Sequence, residues 1–124
     1  MPSMILQIHH AQVCIPEGGL EKAREFYCGL LGLKEVPRPF GPNGFWVQVG
    51  DRMMHFGIDD QPDRQRSKQH VAYQVSDLQG MRSRLQSAGF AIEDPQKMPG
   101  HDRFQIRDPF GNLVEFIQPV ADPI

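Results

Sequence analysis

The sequence contains an internal repeat, which limits the possible folds to a few. A short segment that opens with His leads into a helical segment that closes with Gly, and this pattern occurs twice in 124 residues. The first copy runs from His10 to Gly32 and the second from His70 to Gly89. Because three further strand-like segments follow each helix, the sequence predicts a βαβββ module that occurs twice.

The predicted elements are short, and turn residues separate them. Ser76–Gln79 is interpreted as a capping box, in which the Ser hydroxyl and the Gln side chain bind free backbone N–H groups at the start of the second helix. Gly32 and Gly89 are predicted to end the two helices in a left-handed conformation. The strands after the helices are expected at Leu33–Val36, Phe45–Val49, Arg52–Ile58, Phe90–Glu93, Arg103–Arg107 and Leu113–Gln118.

The composition is that of an ordinary globular domain, with 40% apolar and 23% charged residues. We expect one domain over residues 1–124, with a first module at about 5–58, a linker at 59–68 and a second module at about 69–118. The net charge of −2 gives no basic field for nucleic acid, and no apolar run reaches the roughly 20 residues needed to span a membrane. Cys14 and Cys28 form no disulfide framework and the N-terminus does not resemble a signal peptide, so a cytoplasmic location is expected.

Strand parity predicts which side chains share a face, because successive residues of a strand point to opposite sides of the sheet. The apolar faces would pack on the helices, which gives an α+β fold with a curved sheet, helices on its outer face and a cup on its inner face. The alternative is that the polar face simply meets water, as in many antiparallel sheets. The predicted cup contains His10, Gln12, Trp46, Gln48, His55, His70, Gln74, Arg103, Gln105, Arg107 and Glu115.

Four stretches of the sequence also carry a family resemblance, namely His10–Ile15, Leu20–Leu33, Gln69–Ala72 and Asp108–Phe116. They resemble the vicinal oxygen chelate superfamily, which has the glyoxalase, bleomycin-resistance and dioxygenase fold. The last stretch, Asp-Pro-Phe-Gly-Asn before an apolar-Glu-apolar strand, is the most specific of the four. The resemblance covers about residues 5–119 and implies paired βαβββ modules that form a cup-shaped mixed sheet.

The resemblance also implies a metal site. Metal ligands of the superfamily lie on the first and last strands of each module, which correspond here to His10, His55, His70 and Glu115. Imidazole and carboxylate ligands suit a divalent ion such as Zn, Ni, Fe(II), Mn or Co. His10, His70 and Glu115 also match a 2-His-1-carboxylate triad, whereas the position of His55 varies between subfamilies.

The function implied by the resemblance is that of a glyoxalase-type lyase, isomerase or transferase. Its substrate would be a small oxygen-chelating molecule, with or without a thiol cosubstrate. Glu115 would act as the catalytic base, and Arg103 would hold a carboxylate or phosphonate of the substrate. Trp46, Gln48 and Gln105 would complete the substrate site. For Arg103 the alternative is a solvated position at a strand edge.

Two other functions are compatible with the same resemblance. One is an Fe(II)-dependent extradiol-type dioxygenase, although such enzymes usually have a longer chain. The other is a non-catalytic drug- or metabolite-binding protein of the bleomycin-resistance type. A site for a cationic drug would require an acidic and aromatic groove, and this chain has one Trp and a net charge close to zero.

A homodimer is predicted because one βαβββ module makes only half of a cup. Small proteins of the superfamily commonly pair the first module of one chain with the second module of its partner. The polar linker Asp59–Lys68 could reach about 30 Å at about 3.3 Å per residue, which allows such an exchange. The alternative is a monomer whose two modules pair with each other.

Overall fold

The computed structural model describes residues 3–120 and has an α+β fold, as predicted. The chain divides into two compact units, one ending at Pro62 and one beginning at Asp63. This boundary lies inside the segment 59–68, which contains a 3₁₀ turn at Arg64–Arg66 and in which Arg64 is buried. Within the described residues, no helix combines the length and the apolar character needed to cross a membrane.

The first unit contains a four-stranded mixed sheet. Its strands are β1 (His10–Ile15), β2 (Lys34–Val36), β3 (Gly44–Val49) and β4 (Arg52–Ile58). The strand order is β1-β4-β3-β2, in which β1 and β4 are parallel and the other pairs are antiparallel. This register sets His55 of β4 opposite Gln12 on one side and Trp46 on the other.

The first helix changes its type along its length. It begins as α1 (Leu20–Arg24) and continues as a π-helix over Glu25–Leu30. The sequence predicts one regular helix here, but the structure has wider turns, as in the 2.9 Å bond from the N–H of Leu31 to the carbonyl of Phe26. Apolar periodicity does not separate the two helix types over six residues. The predicted left-handed end is confirmed, since Gly32 has a φ of 80°.

The second unit contains a three-stranded mixed sheet and one helix. Its elements are β5 (His70–Gln74), α2 (Leu78–Ser87), β6 (His101–Arg107) and β7 (Leu113–Pro119). The strand order is β5-β7-β6, with β5 parallel and β6 antiparallel to β7. Glu115 of β7 therefore lies between Ala72 of β5 and Gln105 of β6.

The predicted strand Phe90–Glu93 is wrong. Only Glu93 pairs with the sheet, through two 2.8 Å backbone bonds to Gln105. The next position that would donate to this ladder is Pro95, which has no N–H. Pro95 therefore stops the pairing after Glu93. Before Glu93, the chain is still bound to the end of α2 through a 3.0 Å bond from the N–H of Phe90 to the carbonyl of Leu85.

The predicted capping box of α2 is also wrong, because Asp77 caps the helix in place of Ser76. The Asp77 carboxylate accepts a 3.0 Å bond from the N–H of Gly80. The free N–H of Leu78 is satisfied by the side chain of Gln118 on β7, at 2.9 Å. Ser and Asp are comparably good caps, so two adjacent candidates could not be ranked from the sequence.

Strand parity is largely confirmed by burial. The predicted packing faces supply most of the buried apolar side chains, which are Ile15, Ala23, Phe26, Tyr27, Phe45, Val47, Met54 and Phe56 in the first unit and Tyr73, Leu78, Leu85, Phe104, Ile106, Leu113, Val114 and Phe116 in the second. Ile58 continues the alternation of Met54 and Phe56 on β4 but is 37% exposed at the end of its strand. Leu113, which alternation in β7 sets on the same face as Glu115, is buried as well.

Candidate metal-binding site

A column of three aromatic rings lies on the sheet of the first unit. The indole of Trp46 stacks on the imidazole of His55 at 4.0 Å between centroids, and His55 stacks on His10 at 4.1 Å. The strand order allows the column, because β4 lies between β1 and β3. Trp46 is the direct partner of His55 on β3, whereas His10 lies on β1 two residues before Gln12, the partner of His55. The planes of the two imidazoles differ by only 22°, so one ring must turn before both can bind a single ion.

One nitrogen of the column is buried without a partner. Nε2 of His55 has no hydrogen bond to any group within residues 3–120. Burial, followed by the charges of His10, His9 and Arg38, lowers the pKa of His55 below its ordinary value of 6.5. The neutral imidazole that results keeps a lone pair, which is the form that binds metals. An unpartnered ring nitrogen in this state fits a metal ligand.

In the second unit, Glu115 is a buried carboxylate with several donors around it. Its side chain is 3% exposed, and its Oε1 accepts a 3.0 Å bond from Nε2 of Gln105. A guanidinium nitrogen of Arg103 lies 3.3 Å from the same oxygen. Burial of a carboxylate removes its hydrating water, which costs a large free energy. The bonds from Gln105 and Arg103 compensate for that loss.

His70 turns one ring nitrogen towards Glu115. Its Nδ1 lies 2.9 Å from the carbonyl oxygen of Lys68, which can only accept, so Nδ1 carries the proton. In the neutral ring Nε2 then holds a lone pair, and this nitrogen lies 3.3 Å from Oε1 of Glu115. Two lone pairs at this distance repel each other unless a proton or a metal cation lies between them. The pair therefore fits a cation site.

The turn before β7 fixes the position of Glu115. One oxygen of the Asp108 side chain accepts bonds from the N–H groups of Phe110 and Asn112, both at 2.9 Å. Its other oxygen accepts a 2.9 Å bond from the Asn112 side chain. Gly111 has a φ of +100°, a conformation that glycine adopts without the steric penalty of a side chain. The motif thus closes a rigid hairpin, whose register places Glu115 opposite Gln105.

Two of the predicted substrate-binding residues, Trp46 and Gln48, lie in the first unit and differ in how accessible they are to a ligand. Trp46 is partly exposed, and the ring of Phe40 contacts its edge at 5.9 Å between centroids. Phe40 is itself 66% exposed. The Gln48 amide instead donates a 2.7 Å bond to the carbonyl of Gly50 in its own hairpin. A direct role for Gln48 in binding a ligand would require this bond to break.

In the second unit, Gln105 and Arg103 both bind Glu115. Arg103 also donates to the backbone carbonyl of Gln96, and its Nε is buried with no partner in the described part of the chain. Its side chain is 18% exposed. The alternative of a solvated strand edge is therefore a poor description of Arg103.

The sequence prediction missed one residue beside the ring column. Nδ1 of His9 lies 3.1 Å from Nδ1 of His10, and the two rings meet edge to face at 5.3 Å. Strand parity gives no hint of this contact, because adjacent residues of a strand point to opposite faces. His9 lies just before β1, outside the sheet, so the alternation of a strand does not apply to it. The sequence signal that could have indicated the contact was the His9-His10 dipeptide.

The four predicted ligands thus form two pairs, His10 with His55 in the first unit and His70 with Glu115 in the second. Among residues 3–120, no three His, Cys, Asp or Glu side chains form a group that could hold a metal ion. Each pair alone supplies fewer ligands than the three protein groups of a typical catalytic metal site.

Comparison of the sequence with models of protein families identifies the family of the chain. The model of the Glyoxalase/Bleomycin resistance protein/Dioxygenase superfamily matches residues 7–116, so the chain belongs to this superfamily. This match confirms the resemblance described from the sequence. No curated protein matches the chain.

Solved structures show the same fold. A protein from Bacillus anthracis assigned to the glyoxalase family is 32% identical with a TM-score of 0.83, and the match covers 96% of this chain and 99% of that one. The fosfomycin resistance protein FosX from Listeria monocytogenes, solved with Mn(II) and dihydroxypropylphosphonic acid, is 15% identical with a TM-score of 0.76 and 95% coverage of both chains. TnmS3, an antibiotic-binding protein from Streptomyces, is 23% identical with a TM-score of 0.69, covering 95% of this chain and 99% of its own.

Proposed function

We propose that this protein is a metal-dependent enzyme of the glyoxalase type, a lyase, isomerase or transferase that acts on a small molecule with two adjacent oxygens. The observation that carries the proposal is the 3.3 Å approach of Nε2 of His70 to Oε1 of Glu115. A divalent cation would satisfy both groups. His10, His70 and Glu115 would hold it, and His55 would be a fourth ligand.

The side chains of the site would divide the chemistry among them. A bound divalent ion would supply a Lewis acid that polarises the substrate oxygens. Glu115 would take up and return a proton as the general base, and Gln105 would orient its carboxylate. Arg103 would bind an anionic group of the substrate bidentately after releasing the carbonyl of Gln96. Trp46 would form an apolar wall, which excludes water from the reacting atoms.

We propose further that the complete site forms in a homodimer. One chain would supply His10 and His55 while its partner supplies His70 and Glu115, so that a two-fold axis generates two equivalent sites. An exposed apolar segment before β1 supports association, since Met4, Ile5, Leu6 and Ile8 are each 78–95% exposed. Pairing of the two units within one chain is the alternative.

The cellular context is also part of the proposal. Neither Cys14 nor Cys28 forms a disulfide within residues 3–120, which supports a reducing compartment such as the cytoplasm. A thiol such as glutathione is abundant there, which suits a thiol cosubstrate.

The second candidate function is binding without turnover. The exposed Phe40 beside Trp46 favours it, because paired aromatic rings at a surface suit a planar ligand. TnmS3, an antibiotic-binding protein, has a similar fold. An extradiol-type dioxygenase with Fe(II) at the 2-His-1-carboxylate set is the third candidate.

Substrate turnover by metal-loaded protein separates these candidates. The hemithioacetal of methylglyoxal and glutathione, fosfomycin with a thiol, and catechols should be tested with the wild type and with Glu115→Gln. Turnover of either of the first two, at least about 100-fold slower in Glu115→Gln, is the expected result for a general base. Turnover of catechols alone would indicate the dioxygenase, and tight binding of a planar ligand without turnover would indicate the binding protein.

A further inference from the structure

We propose that His9 is a positioning residue that holds Nδ1 of His10 and thereby leaves Nε2 of His10 as the nitrogen able to bind a metal. This inference rests on the proposed metal site and adds a residue to it. It starts from the 3.1 Å distance between the two Nδ1 atoms. Such a distance between ring nitrogens is that of a hydrogen bond, so one proton lies between them.

The position of that proton decides which nitrogen of His10 is free. If His10 carries it on Nδ1 and donates to His9, then Nε2 of His10 has the lone pair. If His9 carries it, the neutral His10 has its remaining proton on Nε2 and presents no free lone pair at either nitrogen. The first arrangement is the one compatible with a metal at His10. Ligating histidines commonly donate their second N–H to an acceptor in this way.

Ring stacking alone does not make this choice. The stack on His55 at 4.1 Å fixes the plane of the His10 ring. A half-turn of the ring about its bond to Cβ keeps the plane and the stack but exchanges the nitrogen and carbon positions. The hydrogen bond to His9 is the contact that distinguishes the two ring orientations, because a C–H group cannot replace the N–H donor.

The segment that carries His9 is held in place from β4. The guanidinium of Arg52 donates a 2.9 Å bond to the carbonyl of Ile8, the residue before His9, and another to the side chain of Gln7. The His9 ring also contacts the His10 ring edge to face, with an angle of 83° between the planes. His9 is therefore placed by the fold, although its side chain is exposed.

In the second unit, a backbone carbonyl fixes which ring nitrogen of His70 carries the proton. Nδ1 of His70 bonds to the carbonyl of Lys68, so the tautomer of His70 is fixed without any side chain. In His10 the corresponding acceptor is a side chain. A substitution can therefore remove it and leave the backbone unchanged, which makes the role of His9 directly testable.

Three variants at position 9 distinguish a role of His9 in positioning His10 from a role in stabilising the fold. In His9→Asn the amide oxygen can occupy the place of Nδ1 and accept the bond, whereas the longer His9→Gln places it elsewhere. His9→Phe keeps the ring edge against His10 but has no nitrogen. His101→Phe is the control, because His101 lies on β6 in the other unit and contacts the carbonyl of Pro99.

The first measurement is the tautomer of His10 in metal-free full-length protein. Histidine nitrogen NMR at alkaline pH reports which nitrogen of a neutral ring carries the proton, and His10→Ala assigns the signal. We expect the Nδ1–H form in the wild type, His9→Asn and His101→Phe, and loss of its predominance in His9→Phe and His9→Gln. An Nε2–H form in the wild type, or an unchanged Nδ1–H form in His9→Phe, would overturn the proposal.

The second measurement is Zn affinity by competition with a chromophoric chelator. We expect about 10- to 100-fold weaker binding in His9→Phe and His9→Gln, the usual effect of losing an outer partner of a ligating His. His9→Asn and His101→Phe should bind as the wild type does. Equal affinity in all variants would overturn the role of His9 in metal binding. A wild type that binds no metal would instead contradict the proposed function, and the tautomer measurement would still test the contact between His9 and His10.

Discussion

Nε2 of His70 and Oε1 of Glu115 face each other across 3.3 Å, and each is held there by bonds made elsewhere. The carbonyl of Lys68 fixes the other nitrogen of His70, while Gln105 and Arg103 fix the carboxylate. The geometry is therefore present before any ion arrives. Preorganisation of this kind lowers the cost of closing a coordination shell.

The turn at Asp108 should be essential to stability, because its buried carboxylate accepts bonds from Phe110 and Asn112. Asp108→Ala is expected to lower the free energy of unfolding by roughly 2–4 kcal/mol, since backbone N–H groups lose a charged acceptor. Urea denaturation measures the change. Asp102→Ala, at an exposed position of β6, is the control and should change stability by at most about 0.5 kcal/mol. Equal effects of the two substitutions would contradict the prediction.

Gly111 should tolerate an added side chain less well than Gly18, which has a similar backbone conformation. Gly111 has a φ of +100°, and an added Cβ would lie 3.0 Å from Cβ of Gln65. Gly18 has a φ of +80°, but nothing lies within 4 Å of an added Cβ. Gly18→Ala should cost about 1 kcal/mol from backbone strain, and Gly111→Ala about 1–3 kcal/mol more from the added collision. Thermal unfolding of both variants checks the order, and a larger loss in Gly18→Ala would refute it.

The lowered pKa of His55 predicts a loss of stability in acid for metal-free protein. The unfolded chain takes up the proton at about pH 6.5, whereas the folded protein takes it up at a lower pH. Between these values the unfolded state binds more protons, so the free energy of unfolding falls as the pH drops below about 6.5. His55→Gln should make this pH dependence shallower, and His101→Gln is the control. An unchanged slope in His55→Gln would show that His55 does not contribute.

Strand parity predicted which side chains share a face within each unit. Alternation was sufficient to assign His10 and His55 to one face in the first unit, and Gln105 and Glu115 to one face in the second. The shared faces are confirmed because a strand has a fixed period of two, so burial of one face determines the other. The role of these residues as metal ligands stays a prediction.

Local features with two competing solutions could not be predicted in the same way. Ser76 and Asp77 are both good helix caps, and the structure uses Asp77. The contact between His9 and His10 depends on how the chain enters β1, which no periodicity describes. The stacking of Trp46 on His55 requires that β3 and β4 pair in one particular register. Strand parity does not determine that register.

Mixed dimers test whether the proposed site is shared between chains. In a dimer of one His10→Ala chain and one Glu115→Ala chain, a shared arrangement leaves one site intact and removes both residues from the other. Random co-refolding makes about half of the dimers mixed, so about one quarter of the wild-type metal binding should return. No recovery despite verified subunit exchange would mean that each site belongs to a single chain.

The most direct test of the metal site is the metal content of protein reloaded with Zn, Ni, Mn or Fe(II) after removal of chelator. The wild type and the control His101→Ala should each retain about one ion per chain after gel filtration, because three or four ligands close the shell. His70→Ala should retain little or none, since its loss leaves Glu115 without the nitrogen that faces it. A wild type that stays below stoichiometric metal with every ion, or a His70→Ala variant that binds metal as the wild type does, would contradict the proposed centre.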